Sequence, residues 1–356
     1  MDREELNKYL CEADINIVTA MERIDKNAAG LLFVVDKENH LMGCITDGDI
    51  RRWIIKTGNL QALIREFINT SPFSVNTWEE EKAKSIMQVN RISAVPVVDQ
   101  QNVIRDIIFD SNKSHLLHNG SLTGIPIIIM AGGKGTRLYP YTKILPKPLI
   151  PIGEKPIIEH IIDRFTDRGA DKFYITVNYK KNMIKSYFEE IAPEYELVYV
   201  EEDKPLGTGG SVRLIKEHFT KPVVVTNCDI LIEAELSEIY KHHMESGNAI
   251  TIVASLKNMV IPYGVLEVKE DGLVIGMKEK PRLSNLINTG MYIINPEIIE
   301  MIPEGQFYHM TQLAEDCIRR KKRVGIFPIS EDSFLDMGEF EEMHRMEEKL
   351  NLLCGD

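Results

Sequence analysis

The sequence predicts an α/β protein in which a mixed, mostly parallel sheet, covered by helices on both faces, follows a smaller α+β module. Two observations indicate this architecture. Apolar strands alternate with helical stretches after Gly124, and before it a unit of strands and helices occurs twice. With 356 residues and a 44% hydrophobic content, the chain is long enough to form two domains with separate cores.

The amino-terminal repeat is visible as a recurring valine-valine-aspartate motif. Val34-Val35-Asp36 returns as Val97-Val98-Asp99, an offset of 97 − 34 = 63 residues, and the same offset superposes Ala20 on Ala83. Each copy predicts a helix, a short strand ending in the motif, a polar turn and a second strand. Because neither copy can cover its own sheet, we expect the two to pack together as one domain.

The stretch LLHNGSLTG, from Leu116 to Gly124, is polar and contains glycine, as is typical of a linker. The hydrophobic pattern changes on its carboxyl side, where GIPIIIM begins a continuous apolar strand. We therefore place the first domain at residues 1–118 and the second at residues 119–356.

The segment Gly43–Arg52 (GCITDGDIRR) of the first copy resembles the ligand signature of CBS domains, which makes the repeat similar to a tandem CBS (Bateman) module. This resemblance implies that Thr46 and Asp49 bind the ribose and phosphate of an adenine nucleotide effector, and that the chain forms a homo-oligomer. A second interpretation stays open, in which Asp49 caps the helix that starts at Ile50.

The second copy carries different residues at the matching positions. Phe109 takes the place of Thr46, and Asn112 takes the place of Asp49. The ligand signature is therefore degraded there, and we expect the module to hold one nucleotide or none. A purely structural or dimerising role is the alternative.

A glycine-rich loop follows the first strand of the second domain. Its residues Ala131–Arg137 (AGGKGTR) bring close backbone N–H groups and two cations to the carboxyl end of a strand, where parallel sheets bind ligands. The loop fits neither the Walker A motif, since no GK[ST] ends a GxxxxG frame, nor GxGxxG, since Leu138 takes the last position. It therefore indicates phosphate binding outside the kinase and dehydrogenase patterns.

This loop and the sequence after it, AGGKGTRLYPYT followed by LPKPLIPIGEKPIIEH, resemble the opening signature of sugar-1-phosphate nucleotidylyltransferases. The resemblance covers about residues 125 to 345 and implies a Rossmann-like, GT-A-like sheet. It also implies that Arg137 and Lys147 bind the NTP phosphates. The nucleotide-binding positions that it implies are Ala131, Gly132, Gly133, Gly135, Thr136, Gly207, Thr208 and Gly209.

The loop Pro205–Gly210 (PLGTGG) resembles the segment through which family members approach the nucleobase with backbone groups. Thymidylyl and uridylyl members typically carry a glutamine there, whereas this chain has Gly209, Gly210 and Ser211. The resemblance is therefore closer to guanylyl or cytidylyl members. The loop alone does not decide between these two bases.

Two aspartates follow apolar strands of the second domain. Asp229 ends PVVVTNCD, and Asp336 lies in FLDMGEFEE, at the positions where the family holds Mg²⁺. Carboxylates from two strand ends suit magnesium, a hard cation that prefers oxygen ligands. The resemblance thus implies Mg²⁺ as the cofactor, held by both aspartates.

The resemblance also implies a sugar site formed by Tyr263, Gly264, Glu279, Asn288 and Thr289. Lys280 would hold the phosphate of the sugar, since lysine is a compact positive charge. The implied reaction is in-line attack of a sugar phosphate oxygen on the α-phosphorus of the NTP, with release of pyrophosphate. Its implied catalytic residues are Arg137, Lys147, Asp229 and Lys280.

The combination of a CBS pair with a transferase resembles proteins of bacterial surface-carbohydrate clusters, including glucosamine-1-phosphate guanylyltransferases of the legionaminic acid route. GTP and glucosamine 1-phosphate are therefore the expected substrates. Mannose- or heptose-1-phosphate guanylylation and cytidylyl transfer are the alternatives among enzymes, and a catalytically dead nucleotide sensor is the alternative outside them. The enzyme is favoured because all five charged positions are present: Arg137, Lys147, Asp229, Lys280 and Asp336.

Composition limits the remaining functions. A formal net charge of -12 opposes nucleic-acid backbones, so no nucleic-acid partner is expected. The five cysteines are scattered, and no stretch reaches the roughly 18 apolar residues of a membrane span. Because the start MDREELNKYL lacks an apolar signal core, we expect a cytoplasmic protein without a membrane partner.

Overall fold

The computed structural model describes residues 1–76, 79–110, 121–338 and 340–353. The chain divides into two compact units. The first consists of Met1–Leu117, Ser255–Ile287 and Pro328–Asp332, and the second consists of His118–Ala254, Asn288–Phe327 and Ser333–Asp356. The boundary expected between residues 118 and 119 lies outside the described residues, as does Asn112.

Strands and helices alternate along most of the chain, as predicted. The described strands are β1 (Leu10–Glu12), β2 (Leu31–Val35), β3 (Leu41–Thr46), β4 (Val75–Asn76), β5 (Ala94–Val98), β6 (Ile104–Phe109), β7 (Ile127–Met130), β8 (Pro151–Ile152), β9 (Lys155–Pro156), β10 (Lys172–Val177), β11 (Glu196–Glu201), β12 (Val223–Asn227), β13 (Ile230–Ile232), β14 (Ile250–Val260), β15 (Val265–Val268), β16 (Val274–Lys278), β17 (Arg282–Ile294), β18 (Val324–Ile329) and β19 (Phe334–Asp336). The described helices are α1 (Arg3–Asn7), α2 (Ile17–Asn27), α3 (Asp47–Thr57), α4 (Glu80–Asn90), α5 (Tyr141–Ile144), α6 (Ile157–Thr166), α7 (Lys181–Ile191), α8 (Gly207–Gly210), α9 (Leu236–Ser246), α10 (Pro296–Ile299), α11 (Met310–Arg319) and α12 (Phe340–Leu353). None of them is a helix long and apolar enough to cross a membrane.

The internal repeat of the first unit is confirmed by the structure. Helix α4 and strands β5 and β6 have the bounds of α2, β2 and β3 shifted by the predicted 63 residues. In each copy the first two strands pair in parallel and the last two are antiparallel, giving sheets β1-β2-β3 and β4-β5-β6. The two antiparallel pairs also share a shift in register. It lies between Val34 and Val35 in one copy and between Val97 and Val98 in the other.

One core joins the two copies. Leu31 and Phe33 of β2 share a buried apolar cluster with Ala94 and Val98 of β5. The main chains also meet, because the Leu41 N–H donates to the Asn102 carbonyl at 2.9 Å. The two copies therefore pack together as one domain, as the repeat predicted.

Segments 255–287 and 328–332, which the sequence placed in the second domain, belong to the first unit because they contact its helices. Glu22 of α2 accepts a hydrogen bond from Nδ2 of Asn258 at 3.4 Å and lies 3.7 Å from the Arg282 guanidinium. Arg51 of α3 donates its Nε–H to the Pro328 carbonyl at 3.3 Å. The ends of β14 and β17 therefore lie against the CBS-like repeat.

The second unit is built on a sheet with the strand order β11-β10-β7-β12-β17-β14-β18. Strands β11, β10, β7 and β12 run parallel, and β12 pairs antiparallel with β17, so the predicted mixed, mostly parallel sheet is confirmed. Parallel strands are buried on both faces and are apolar throughout. In β7 this is visible at Ile127, Ile128 and Ile129, which are fully buried.

Candidate active site

The glycine-rich loop leaves the sheet at the carboxyl end of β7, which lies between β10 and β12. Its first residue, Ala131, donates a backbone hydrogen bond to the Thr176 carbonyl at 3.0 Å, so the loop begins in register with the sheet. A Cβ atom on Gly132 would lie 2.4 Å from Oε1 of Glu202, whereas one on Gly133 would have no atom within 4 Å. A side chain at position 132 would therefore have to displace the Glu202 carboxylate, whereas Gly133 faces open space.

At Gly135 the loop turns with a φ of 63°, in the left-handed region that favours glycine. A Cβ atom there would lie 2.9 Å from Cγ2 of Thr142 and 3.1 Å from Cβ of Lys147. The Thr142 hydroxyl donates to the Gly135 carbonyl at 2.8 Å. This close packing holds the loop against the Lys147 segment, and Thr136 and Arg137 follow in a short 3₁₀ turn.

Lys147 is buried and begins a 3₁₀ turn that is flanked by Pro146 and contains Pro148. Its ammonium forms an ion pair with Oδ2 of Asp229. Both side chains are mostly withdrawn from solvent, with 10% and 16% of their surface exposed. A buried charge is costly without a partner, so Asp229 holds the lysine in place.

Backbone pairing sets the position of the two predicted metal-binding aspartates. Asp229 lies between β12 and β13, and β13 pairs antiparallel with β19 so that Ile230 is opposite Asp336. The Met337 N–H donates to the Asp229 carbonyl at 2.8 Å. The two aspartates therefore come from distant parts of the chain to adjacent positions.

The charges of four residues act on one another in this cluster. Burial raises the pKa of Asp336, and the negative charge of Asp229 raises it further, while Lys147 and Arg137 act in the opposite direction. A Cβ atom on Gly338 would lie 3.1 Å from Oδ1 of Asp336 and 3.2 Å from a guanidinium nitrogen of Arg137. The structure thus brings Arg137, Lys147, Asp229 and Asp336 together beside the glycine-rich loop.

The loop expected to approach the nucleobase uses part of its backbone within the protein. The N–H groups of Gly209 and Gly210 donate to the Tyr308 carbonyl at 2.8 and 3.0 Å, and the Thr208 hydroxyl accepts from the Met310 N–H at 3.1 Å. Gly207 has a φ of 75°, and a Cβ atom there would lie 2.7 Å from the Tyr308 oxygen. The glycines of this loop are therefore required by its packing against the start of α11.

Glu202, which the sequence reasoning did not single out, lies between the two glycine loops. Its side chain is buried, and Oε2 accepts a hydrogen bond from the Leu206 N–H at 3.1 Å. Its other oxygen, Oε1, faces Gly132. Burial raises the pKa of this carboxyl group. The only signal in the sequence is the Glu201-Glu202 pair directly after the apolar strand ELVYV, because a second acidic residue there can turn inward.

Asn288 and Thr289 lie in β17 within the second unit. Thr289 is buried, and its hydroxyl donates to the Val253 carbonyl at 2.8 Å. Asn288 accepts the Gly290 N–H at 3.0 Å, and a Cβ atom on Gly290 would lie 2.4 Å from Nδ2 of Asn227. This segment therefore abuts the end of β12, two residues before Asp229.

The other predicted sugar residues lie in the first unit, around the hairpin of β15 and β16. Tyr263 is 75% exposed. A Cβ atom on Gly264 would lie 3.1 Å from Oε2 of Glu279, so these two positions face each other across the base of the hairpin. Lys280 follows with a left-handed φ of 44° and is exposed.

The CBS-like signature forms a helix cap. Helix α3 begins at Asp47 rather than at Ile50, and Thr46 is its N-cap. The Thr46 hydroxyl accepts the Asp49 N–H at 3.2 Å, while Oδ2 of Asp49 accepts the Thr46 N–H at 3.0 Å. The prediction that Asp49 caps this helix is therefore confirmed, although the helix starts earlier and Thr46 also takes part in the cap. In the second copy, the Phe109 ring packs against Tyr9 at 4.9 Å, as a core residue does.

Comparison with known families agrees with both parts of the prediction. Residues 126–351 match the model of the nucleotidyl transferase family, and residues 7–56 match the model of the CBS domain. The CBS match covers the first copy of the repeat, which carries the intact signature.

Curated relatives match about half of the chain. UTP--glucose-1-phosphate uridylyltransferase of Synechocystis sp. is 36% identical over 202 residues, which make up 51% of this chain and 52% of that protein. Mannose-1-phosphate guanyltransferase of Pichia angusta is 34% identical over 184 residues, 49% of this chain and 50% of that protein. This chain thus spans about half the length of the curated relatives it matches.

A crystal structure from Bacillus anthracis, solved in complex with a sucrose, has the same fold. It superposes with a TM-score of 0.50 at 19% sequence identity, over 64% of this chain and 95% of that chain. The fold, the arrangement of the charged cluster and the sequence match therefore point the same way. Since the family match extends over residues 126–351, more than half of its length, this chain belongs to the nucleotidyl transferase family.

Proposed function

We propose that the chain transfers the nucleoside monophosphate of an NTP to a sugar 1-phosphate and releases pyrophosphate. The observation that carries this proposal is the cluster of Arg137, Lys147, Asp229 and Asp336 beside the glycine-rich loop. The names of the matched relatives, a glucose-1-phosphate uridylyltransferase and a mannose-1-phosphate guanyltransferase, support the same reaction class.

The chemistry requires positioning and charge neutralisation rather than a general base. A sugar phosphate oxygen is already ionised at neutral pH, so it can attack the α-phosphorus directly. As that bond forms, the bond to the β-phosphate oxygen breaks, and pyrophosphate leaves with the electron pair. Arg137 and Lys147 offset the charge that builds up on the leaving group, and Lys280 binds the phosphate of the sugar.

Asp229 and Asp336 fit a magnesium site. They offer carboxylate oxygens, the ligands that Mg²⁺ prefers. The pKa of Asp336 is raised by burial and by the charge of Asp229, and a cation held by the two carboxylates would relieve that repulsion. When bound, Mg²⁺ supplies positive charge at the α-phosphate. Lys147 holds the Asp229 carboxylate in place for this role.

Glu202 supports GTP as the nucleotide. Its buried carboxylate lies against Gly132, within the loops that we assign to the nucleotide. Guanine presents two neighbouring donors, N1–H and the N2 amino group, which match the two acceptor oxygens of a carboxylate. Uracil, thymine, cytosine and adenine instead place an acceptor next to their donor, which would face a carboxylate oxygen unfavourably.

Glucosamine 1-phosphate is the sugar that we propose first, because the resemblance of the whole domain arrangement favours it. The exposed carboxylate of Glu279, next to Gly264, suits a cationic amino group on the sugar. The family pattern also implies a sugar-binding role for Tyr263, Asn288 and Thr289. Mannose and heptose 1-phosphates are the alternatives.

We also propose an adenine nucleotide as effector at Thr46 and Asp49, next to the amino end of α3. The family match of residues 7–56 supports this assignment. Calorimetric titration of the full chain with AMP, ADP and ATP tests it. Binding that Asp49→Asn weakens is expected, whereas equal absence of heat from all three nucleotides would refute the effector site.

The experiment that tests the enzyme measures pyrophosphate release with Mg²⁺, each of five nucleotides (ATP, GTP, CTP, UTP and dTTP) and a panel of sugar 1-phosphates. We expect release with GTP and an aminohexose 1-phosphate. Asp229→Asn serves as the matched inactive control. No release with any pair would instead support the nucleotide sensor, and release with CTP alone would reassign the base.

A further inference from the structure

The turn between β10 and α7 is hydrogen-bonded to the short helix α5. Tyr179 of this turn donates its hydroxyl to the Thr142 carbonyl at 3.1 Å. The Lys180 ammonium donates to the carbonyls of Lys143 and Ile144, each at 2.8 Å. The last carbonyl groups of a helix have no partner inside it, so these three oxygens need donors from elsewhere. Two adjacent residues of the turn supply them.

Helix α5 has little apolar packing to hold it. Of its four residues, Thr142 is the buried one, whereas Tyr141 is 52% and Ile144 is 72% exposed. A single helical turn is not stable alone in water. The position of α5 therefore depends on the hydrogen bonds that its carbonyl groups accept.

Helix α5 in turn contacts the glycine-rich loop. The Thr142 hydroxyl donates to the Gly135 carbonyl at 2.8 Å, while the Thr142 carbonyl accepts from Tyr179. A Cβ atom on Gly135 would lie 2.9 Å from Cγ2 of Thr142, so the two segments are in close contact. A continuous series of contacts thus joins the turn after β10 to the loop.

The backbone of Lys180 is strained. Its φ of 52° and ψ of 33° lie in the left-handed region, which glycine or asparagine adopts more easily. Strained residues persist where their surroundings hold them, and they are frequent at functional sites. A lysine at this position, with an ammonium that reaches two carbonyl groups at once, therefore suggests a use for its side chain.

The same turn also contacts the residue that faces Gly132. Nδ2 of Asn178 donates to the Glu202 carbonyl at 2.7 Å. The carboxylate of Glu202 lies against Gly132. Consecutive residues of the turn are therefore bonded to supports of the glycine-rich loop at both Gly132 and Gly135.

We propose that Tyr179 and Lys180 are positioning residues, which hold the glycine-rich loop ready for the NTP phosphates through α5. The identity of this ligand rests on the proposed function. Backbone N–H groups bind phosphate oxygens when the loop makes them converge, and ordering a loop at the moment of binding costs free energy. A loop that is already held in place avoids this cost, so the NTP binds more tightly.

The first experiment compares hydrogen exchange of residues 131–145 in the full wild-type chain, in Lys180→Met and in Lys180→Arg, all without ligands. The matched control is Lys181→Met, which removes the same charge from the next residue, where the ammonium pairs with Glu201 instead. We expect exchange in this segment to be about fivefold faster in Lys180→Met and unchanged in the control. Lys180→Arg should restore most of the protection, since a guanidinium also donates to two carbonyl groups.

The second experiment measures pyrophosphate release with the nucleotide that the wild type uses. For Lys180→Met we expect the KM for the nucleotide to rise about tenfold, with kcat and the KM for the sugar 1-phosphate close to the wild-type values. Tyr179→Phe, which removes only the hydroxyl, should show the same change to a smaller extent. A residue with a merely structural role would not separate the two KM values.

Three results would overturn the positioning role. They are exchange in Lys180→Met equal to that of Lys181→Met, faster exchange with an unchanged KM for the nucleotide, and an equal rise of both KM values. If Lys180→Met unfolds, the same comparisons are decided on Tyr179→Phe. A wild-type chain that binds a nucleotide but releases no pyrophosphate loses the proposed function alone, and the calorimetric affinity for that nucleotide then takes the place of KM. Absence of binding by all five nucleotides refutes both.

Discussion

Met337 donates its backbone N–H to the carbonyl of Asp229 at 2.8 Å, which joins the two segments that carry the aspartates of the candidate site. The neighbouring pairing of Ile230 with Asp336 continues the same contact. The backbone, and not the carboxylates, therefore sets the distance between these segments. Replacing either carboxylate by an amide should leave the arrangement of the chain intact.

We expect Asp229→Asn to lower kcat at least about 100-fold while the fold is kept, because the change removes a charge that Lys147 and Asp336 both sense. Steady-state pyrophosphate release measures the first effect, and near-ultraviolet circular dichroism checks the second. Turnover at the wild-type rate in a correctly folded variant would rule out a role of Asp229 in the reaction.

Asp336→Asn is expected to raise Tm at neutral pH in the presence of EDTA. Burial and the charge of Asp229 raise the pKa of Asp336, so its ionised form destabilises the folded chain more than the unfolded chain. This destabilisation is complete at pH values above the raised pKa of Asp336. It disappears as the pH falls through that pKa toward the ordinary value of 3.8. An asparagine is neutral throughout, so the gain in Tm should be largest at high pH and shrink on acidification.

Thermal unfolding of both proteins from pH 8 to below pH 3.8 measures this trend. A difference in Tm that is constant with pH would show that Asp336 is not the titrating group. Loss of activity together with a gain in stability is the pattern expected of a residue kept for function.

Lys147→Met should destabilise the chain by about 3 kcal/mol, since it leaves the carboxylate of Asp229 without its buried partner. In the double variant Lys147→Met/Asp229→Asn no charge of the pair remains, so most of the loss should be regained. Urea unfolding of the two single variants and the double variant gives the coupling. Additive losses would contradict a direct pairing of these two groups.

The repeat could be predicted from sequence because its key residues act locally. Oδ1 of Asp36 accepts the backbone N–H groups of the residues two and four positions later, and Oδ1 of Asp99 does the same. The valine-valine-aspartate motif thus consists of a strand end and a turn, and both can be predicted from the local sequence. The place of the glycine-rich loop could also be predicted, because it directly follows an apolar strand and therefore lies at the carboxyl end of that strand.

Contacts between distant segments could not be predicted in this way. No local pattern shows that the Glu202 side chain is buried against Gly132, or that the Tyr308 carbonyl accepts the N–H groups of Gly209 and Gly210. The grouping of residues 255–287 with the repeat depends on Glu22, which is an ordinary surface residue in sequence terms. Each of these features follows from tertiary packing rather than from periodicity.

Gly132→Ala should destabilise the chain by about 1–3 kcal/mol, because its Cβ atom would lie 2.4 Å from Oε1 of the buried Glu202. Gly133→Ala is the matched control, since a Cβ atom there meets no atom within 4 Å and costs nothing in packing. Urea unfolding without nucleotide measures both. Equal stability of the two variants would show that Glu202 does not press on the loop.

Glu202→Gln tests whether the Glu202 carboxylate binds the guanine base of GTP. An amide offers one acceptor and one donor, so it can no longer accept both guanine N–H groups, and its own N–H groups would point at one of them. We expect kcat/KM for GTP to fall about 10- to 100-fold, mostly through KM, and the ratio of UTP to GTP use to rise. Sugar 1-phosphate KM should stay near the wild-type value, which separates a base contact from general damage. An equal fall for all five nucleotides would instead assign Glu202 to the packing of the two glycine loops.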